Sequence, residues 1–378
     1  MVPKMYLMNE LLFLSPLAVY AAWRIRSLIP RRALKNLSTA FFLLLVFGYP
    51  VAERLAHGPV SGGKRYLVIA GYYALPLLLY LVLAVVLSEV LIGFLRFTRV
   101  LSRESVRRPG FRRARLVFLL SAPVLVLGYG IWNHHHLRVS AYSIEVARRS
   151  SPFESLRIAF ASDFHLGAMT DACFMEKFVA RVNALKPDII LIGGDVMEGH
   201  RGDKPEKFIA KFRELRSRYG VYAVPGNHES YGGGGSGFFE RAGIRLLQDE
   251  IVNVGGAFYL AGRTMGGHSR NRKSLENFLR DAPDDLPMIL MDHIPTGLEQ
   301  VARAGVDIQL SGHTHHGQLF PANLVTSHIY ELSWGHLVKG RTHFFVTSGV
   351  QLWGPPVRTA GVSEIMLIDV AFKSASPS

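Results

Sequence analysis

Cys173 is the only thiol in the chain. A single cysteine excludes an intramolecular disulfide and any metal site built on several thiolates, and it is neutral between reducing and oxidising compartments. Acidic residues are scarce too, 29 against 43 Lys and Arg. No internal repeat is present. The one low-complexity tract, Gly232 to Gly235, lacks the strand, helix and following Lys of a phosphate cradle and reads as a flexible loop. Charge is also missing from long stretches, and these all fall in the first third of the chain.

Four apolar runs occupy that third: Met5 to Trp23, Leu37 to Ala52, Tyr66 to Leu95 and Leu116 to Trp132. Each approaches the length a helix needs to cross about 30 Å of hydrocarbon. The loop after the first run carries Arg24, Arg26, Arg31, Arg32 and Lys35 with no acid, and the loop after the third carries eight arginines against Glu104. Together they hold twelve of the fourteen net positive charges. The basicity therefore reports topology and not nucleic-acid binding. Lys and Arg in short loops mark the cytoplasmic side, so everything after Trp132 is expected outside. The positive cluster follows the first run instead of preceding it, which favours a retained anchor over a cleaved signal. The reading is a multi-pass protein of the inner (plasma) membrane, with residues 1–136 as a four-helix transmembrane region and 137–378 as an extracytoplasmic catalytic domain. Glu10 and Glu89, costly in lipid, should face other helices.

From Leu137 onward short apolar runs alternate with helical patterns. "LRIAFAS" reads as a strand ending in "DFH", and Phe174, Phe178, Val182 and Leu185 recur at near-helical spacing before Pro187. "DIILIGGD" is a second strand, with Phe208, Ile209, Phe212 and Leu215 marking a second helix. "VYAVPGNHE", "MILMDHIP" and "VDIQLSGHTH" supply three more strand ends. Ligands in open α/β sheets gather at the carboxyl ends of strands, and these five ends carry Asp163, His165, Asp195, Asn227, His293, His313 and His315.

In extended backbone, residues two apart share a side, so Asp163 converges with His165 and His313 with His315, while His316 points away. Gly312 and Gly317 let the backbone approach an ion or adopt positive φ. Asp195 can bridge two cations, which makes two four-ligand sets from seven side chains. Mixed oxygen and nitrogen donors without thiolate point to two divalent ions, manganese, iron or zinc. Two metals about 3.5 to 4 Å apart can lower the pKa of a bridging water and clamp the attacking and leaving oxygens of an in-line displacement. That is phosphoester-hydrolysis machinery.

The ordered series "DFH", "GGD", "GNHE", "DH" and "GHTH" resembles the calcineurin-like metallophosphoesterase family over about Leu156 to Val370. The resemblance implies an α/β fold of two mixed β-sheets packed face to face and flanked by helices. It implies Asp163, His165, Asp195 and His315 on one metal, and Asp195, Asn227, His293 and His313 on the other, with hydrolysis by metal-bound hydroxide. His228 takes the family role of proton donor or transition-state stabiliser beside the leaving group. Glu229 stands where many members have Asp, a longer carboxylate placed to orient His228. "GHTHHGQLFP" and "TSGVQLWGPPVR" are similar to membrane-associated bacterial members, some proposed to act on lipid or nucleotide-sugar phosphates.

Arg358 in "GPPVRTAG" is a candidate for bidentate contact with a substrate phosphate. His134, His135 and His136 follow the fourth apolar run and read as headgroup-layer residues. His57, His200, His268, His328, His336 and His343 lack a partnered motif. Phe238, Phe239 and Trp353 are candidates to receive a lipid tail. The expected activity is hydrolysis of a phosphoester or pyrophosphate bond in a phosphorylated small molecule or lipid. Two alternatives stand beside it: a cytoplasm-facing pyrophosphatase of a nucleotide-linked lipid precursor, and a non-catalytic metal-binding membrane scaffold.

Overall fold

The computed structural model describes residues 3–56, 60–167, 170–199, 205–231, 236–265, 272–280 and 282–373, with backbone alone for 3–14, 205, 230, 231 and 236. Gly232 to Gly235 and His57, His200 and His268 lie outside the described residues. The chain divides into two compact units, Met1–Trp132 with Gly354–Thr359, and Asn133–Trp353 with Ala360–Ser378.

The first unit is helical: α1 (Pro3–Leu28), α2 (Arg32–Ala56), α3 (Gly62–Phe97), the short α4 (Arg103–Arg107) and α5 (Pro109–His135). Among the described residues three helices, α2, α3 and α5, are long and apolar enough to cross a membrane. The first expected span, Met5 to Trp23, falls within α1, and its side chains before Ser15 lie outside the described residues. Glu89 of α3 faces other helices as expected, paired with Arg24 of α1 and Arg115 of α5. Glu10 lies among the undescribed side chains. The returning segment Gly354–Thr359 is held in this unit by the Arg358 amide, which donates to the Gly130 carbonyl at 3.0 Å, and by Tyr80 against the Thr359 hydroxyl.

Among the described residues, the second unit holds all twelve strands and the remaining helices. Its first half runs β1 (Arg138–Ala147), β2 (Ser155–Ala161), α6 (Ala172–Ala184), β3 (Ile189–Ile192), α7 (Ile209–Phe212), β4 (Val221–Ala223), α8 (Asn227–Tyr231), α9 (Ser236–Arg241) and β5 (Arg245–Leu246). Then come β6 (Glu250–Val254), β7 (Phe258–Gly262), α10 (Leu275–Leu279), β8 (Met288–Met291), α11 (Leu298–Arg303), β9 (Ile308–Ser311), α12 (Ala322–Ile329), β10 (Gly335–Lys339), β11 (Thr342–Val346) and β12 (Glu364–Lys373). The second helix expected from Phe208, Ile209, Phe212 and Leu215 is shorter than its spacing implies: a 3-10 turn, Pro205–Phe208, leads into the single turn of α7.

Two six-stranded mixed sheets result, ordered β1-β12-β2-β3-β4-β5 and β10-β11-β9-β8-β7-β6. Side-chain alternation builds the layers. Leu156, Ile158 and Phe160 of β2 and Ile189 and Leu191 of β3 meet Ile289, Ile308 and Leu310 in one buried core between the sheets. The other faces of the same strands, Ala159, Ala161, Ile190 and Ile192, pack with Met175, Phe178 and Val182 of α6. The second sheet is covered through Phe278, Leu298 and Val301. Strands buried on both faces read as unbroken apolar runs, as parallel strands do. β2, β3 and β4 are mutually parallel, as are β7, β8 and β9, so each sheet gathers successive carboxyl ends along one edge.

Candidate metal centre

Every residue of the expected rim follows one of these strands. Beyond β2 the chain stays paired with the chain beyond β3: the amides of Phe164 and His165 donate to the Asp195 carbonyl at 2.8 and 3.0 Å, and that of Asp163 to Gly194 at 3.0 Å. Asp163, His165, Asp195, His313, His315 and His316 all have positive φ, between 44° and 70°. Non-glycine residues reach this region only where surroundings hold them. Strand alternation therefore does not bring these side chains together, because the backbone curls directly after each strand. Close approach replaces it. A Cβ on Gly312 would lie 2.3 Å from Asp163 Oδ2, and one on Gly226 2.1 Å from Asp195 Oδ1.

Among the described residues three groups of ligand atoms result, the atoms of each within 4.8 Å of one another: Asp163, His165 and His315; His165, Asp195 and His228; Asp195, His293 and His313. Asp195 and His165 each belong to two groups. Asn227, the first residue of α8, joins the last group through its Oδ1, 2.9 Å from His313 Nδ1. His313 and His315 thus diverge into separate groups. His316 turns to the Ser333 hydroxyl at 2.9 Å and to the ring of Trp334.

Second partners set the ring orientations. His293 Nδ1 lies 2.7 Å from the Gly193 carbonyl, so it carries the proton and leaves Nε2 facing Asp195 Oδ2 at 3.2 Å. His165 Nδ1 forms an ion pair with Glu198 Oε2 at 2.8 Å, off the line of a hydrogen bond, and its Nε2 faces His315 Nε2 at 3.1 Å. His228 Nδ1 donates to the Glu198 carbonyl at 2.7 Å, while its amide donates to Asp195 Oδ1 at 2.8 Å.

Glu229 does not orient His228. Its buried carboxylate accepts from the amides of Asp195 at 3.0 Å, Met197 at 2.9 Å and Gly226 at 2.7 Å. It ties the loop after β3 to the loop after β4, a job that suits the extra methylene of Glu. Burial, then the Asp195 charge, push its pKa up, partly offset by the amides. Glu198 is the residue the motifs missed. Its place three positions after Asp195 is a signal only once the loop is known to fold back over His165.

The electrostatics fit divalent cations. Burial alone would raise Asp163 and Asp195, yet His315 beside the first and His293 beside the second hold both carboxyls well below the usual range. Burial would lower His165 and His293, but Glu198 carries the first up to about 9 and Asp195 the second up to about 10. Burial and then His293 push His313 down to about 4. The cluster demands positive charge, and bound protons supply it when no metal does. His293 Nε2 is buried without a hydrogen-bond partner although Asp195 is adjacent. Nitrogen and carboxylate atoms that converge in this way are the donor set a cation satisfies once it displaces the proton.

Arg358 is fully buried, and its segment belongs to the helical unit. Phe238 and Phe239 are buried in the core beside α6 and are not available to a lipid tail, whereas Trp353 is 40% exposed.

A calcineurin-like phosphoesterase model matches residues 156–317. An uncharacterised metallophosphoesterase of Aquifex aeolicus is 31% identical over 261 residues, 66% of this chain and 98% of that protein. One from Helicobacter pylori is 31% identical over 220 residues, 56% of this chain and 59% of the relative. A bovine transmembrane protein with a metallophosphoesterase domain is 31% identical over 247 residues, 60% of this chain and 55% of the relative. The chain thus spans little more than half the length of the last two relatives.

Proposed function

This chain belongs to the calcineurin-like metallophosphoesterase family, and from that premise we propose that it is a membrane-anchored phosphohydrolase acting on a phosphoester or pyrophosphate bond of a lipid-linked, extracytoplasmic substrate. The observation that carries the reading is the sharing of Asp195 between ligand groups that draw on both sheets. Asp163, His165 and His315 would hold one divalent cation and Asn227, His293 and His313 a second, with Asp195 common to both. Such cations lower the pKa of water and offset charge on phosphoryl oxygens.

The chain's own residues do the rest. Glu198 fixes the His165 ring, and the Gly193 carbonyl fixes that of His293. His228, its ring oriented through Nδ1 by the Glu198 carbonyl, would carry a proton to the departing oxygen. Glu229 keeps Asp195 and Asn227 in register by binding the backbone beside each. Net positive charge in the first and third inter-helix loops supports an extracytoplasmic catalytic unit.

The test is hydrolysis of an aryl phosphodiester by the full-length protein, which is expected to require added divalent metal. Full activity in a metal-depleted Asp195→Asn protein would defeat the reading. Protease added to intact spheroplasts is expected to cleave the catalytic unit. Protection until the membrane is broken would instead favour the cytoplasm-facing pyrophosphatase.

A further inference from the structure

Among the described residues, every large apolar side chain exposed in the sheet unit lies between Phe320 and Trp353. Four form one ridge: Phe320 at 50% exposure, then Leu324, Val325 and Ile329 at 61, 59 and 65% on α12. The helix is built inside out. None of its residues is buried, and Thr326, its inward contact, bonds the Asn323 carbonyl and lies 3.0 Å from the Ser333 hydroxyl. A helix on a water-facing domain places its apolar stripe inward and its polar residues outward. α12 turns its aliphatic residues outward, beside Ser327 and His328, and carries no Asp, Glu, Lys or Arg.

The ridge is joined to the candidate metal centre. α12 begins five residues after Gly317, the end of the 3-10 turn that carries His315. Ser333, against which α12 rests, also accepts from Thr314 at 2.6 Å and meets His316. Two exposed tryptophans flank it. Trp334 packs on the ring of His316, and the Trp353 carbonyl accepts from Gln318 at 3.3 Å. The covalent layout supplies the occupant: α5, long and apolar enough to cross a membrane, ends at His135, and β1 starts at Arg138. The two intervening residues span roughly 10 Å at full extension, so the sheet unit is held at a bilayer surface by its own chain.

We propose that α12, with Phe320, Trp334 and Trp353 beside it, inserts into the headgroup–acyl boundary of that bilayer. An uncharged helix with an outward aliphatic ridge and flanking Trp has the composition of an interfacial segment. Insertion brings the loop carrying His313 and His315 to the depth of lipid headgroups, which gives a lipid phosphate a route to the site without leaving the membrane; this last consequence rests on the phosphohydrolase reading, while insertion does not.

The test uses the full-length chain in phospholipid vesicles. In a Cys173→Ser background, single cysteines replace Leu324, Ile329 or, as control, the exposed Glu276 of α10, and each carries an environment-sensitive fluorophore. Metal content of each variant verifies the fold. Lipids with a nitroxide just below the headgroup are expected to quench the labels at 324 and 329 several-fold more than that at 276, with aqueous iodide reversing the order. Equal quenching at all three positions by both quenchers would overturn the proposal. Shielding from iodide without quenching by lipid would also overturn it, assigning the ridge to a protein partner or a second copy. No turnover enters this measurement, so an inactive protein that still shows lipid quenching would sink the phosphohydrolase reading alone. In an active protein, Leu324→Glu with Ile329→Glu is expected to depress hydrolysis of a bilayer-embedded phosphoester and spare a soluble aryl ester.

Discussion

The two halves of the rim draw on similar residue types and differ in what surrounds them. Asp163, His165 and His315 are all buried, and Glu198 adds a further carboxylate against His165. On the other half His293 is buried, but Asn227 and His313 are only partly buried, and the oxygen donor besides Asp195 is the uncharged amide of Asn227. A cation between carboxylates in a dry pocket is held by stronger fields than one facing an amide near solvent. The first half is thus suited to keep its ion and the second to exchange ligands with water and substrate.

Replacing the shared residue removes the contrast altogether. Asp195→Asn is expected to lose both cations and reduce hydrolysis to background, which elemental analysis alongside an assay will check. Retention of one cation would assign Asp195 to a single half. Next in size is His228→Ala, at a residue that lies against His165 and Asp195 but is counted in neither proposed ligand set. Turnover should fall by about 10² to 10⁴, more for an alkyl than for an aryl leaving group, with metal content intact. Loss of an ion in this variant would make His228 a ligand.

The sharpest probe of asymmetry is a crossed pair. Glu198→Gln should weaken cation affinity on the buried half by about 10- to 100-fold, and Asn227→Ala should empty the partly buried one, each leaving the other half bound. Titration of apo-protein by calorimetry will separate the two. Equal effects on both ions from either variant would erase the distinction.

The smallest effect is on pH. Without metal, His165 is raised to about 9 and His293 to about 10, so both carry protons at neutrality that a cation must displace. Affinity should rise with pH by up to about tenfold per unit for each proton displaced and level off above these values. Proton release, read from binding heats in buffers of different ionisation enthalpy, will check it.

The sheets and the residues of the rim were legible because both are written locally. Five apolar runs each end in polar residues, and side-chain period alone separates the faces of β2 and β3. What escaped depends on contacts across the chain. The convergence of Asp163 with His165 was expected from alternation, but it arises from left-handed backbone at both residues, held by pairing with the loop after β3. Glu229 looked like a partner for His228 because it is adjacent in sequence, whereas its three amide donors come partly from 32 and 34 residues away. The return of Gly354–Thr359 to the helical unit leaves no periodic signal in six residues of Gly, Pro, Val, Arg and Thr. α12 escaped for a different reason: the pattern of Leu324, Val325 and Ile329 shows that an apolar stripe exists and not which way it faces.

The placement of the ligands across two sheets has a further consequence for how the protein is made. His165 follows a strand of the first sheet and His315, 150 positions later, a strand of the second, and no single segment contains a complete candidate set. During synthesis the nascent chain therefore presents only fragments of a chelator until β9 and the turn after it have emerged and docked. A cation bound by these residues would therefore load late in maturation and would fasten both halves of the sandwich at once, which should slow proteolysis.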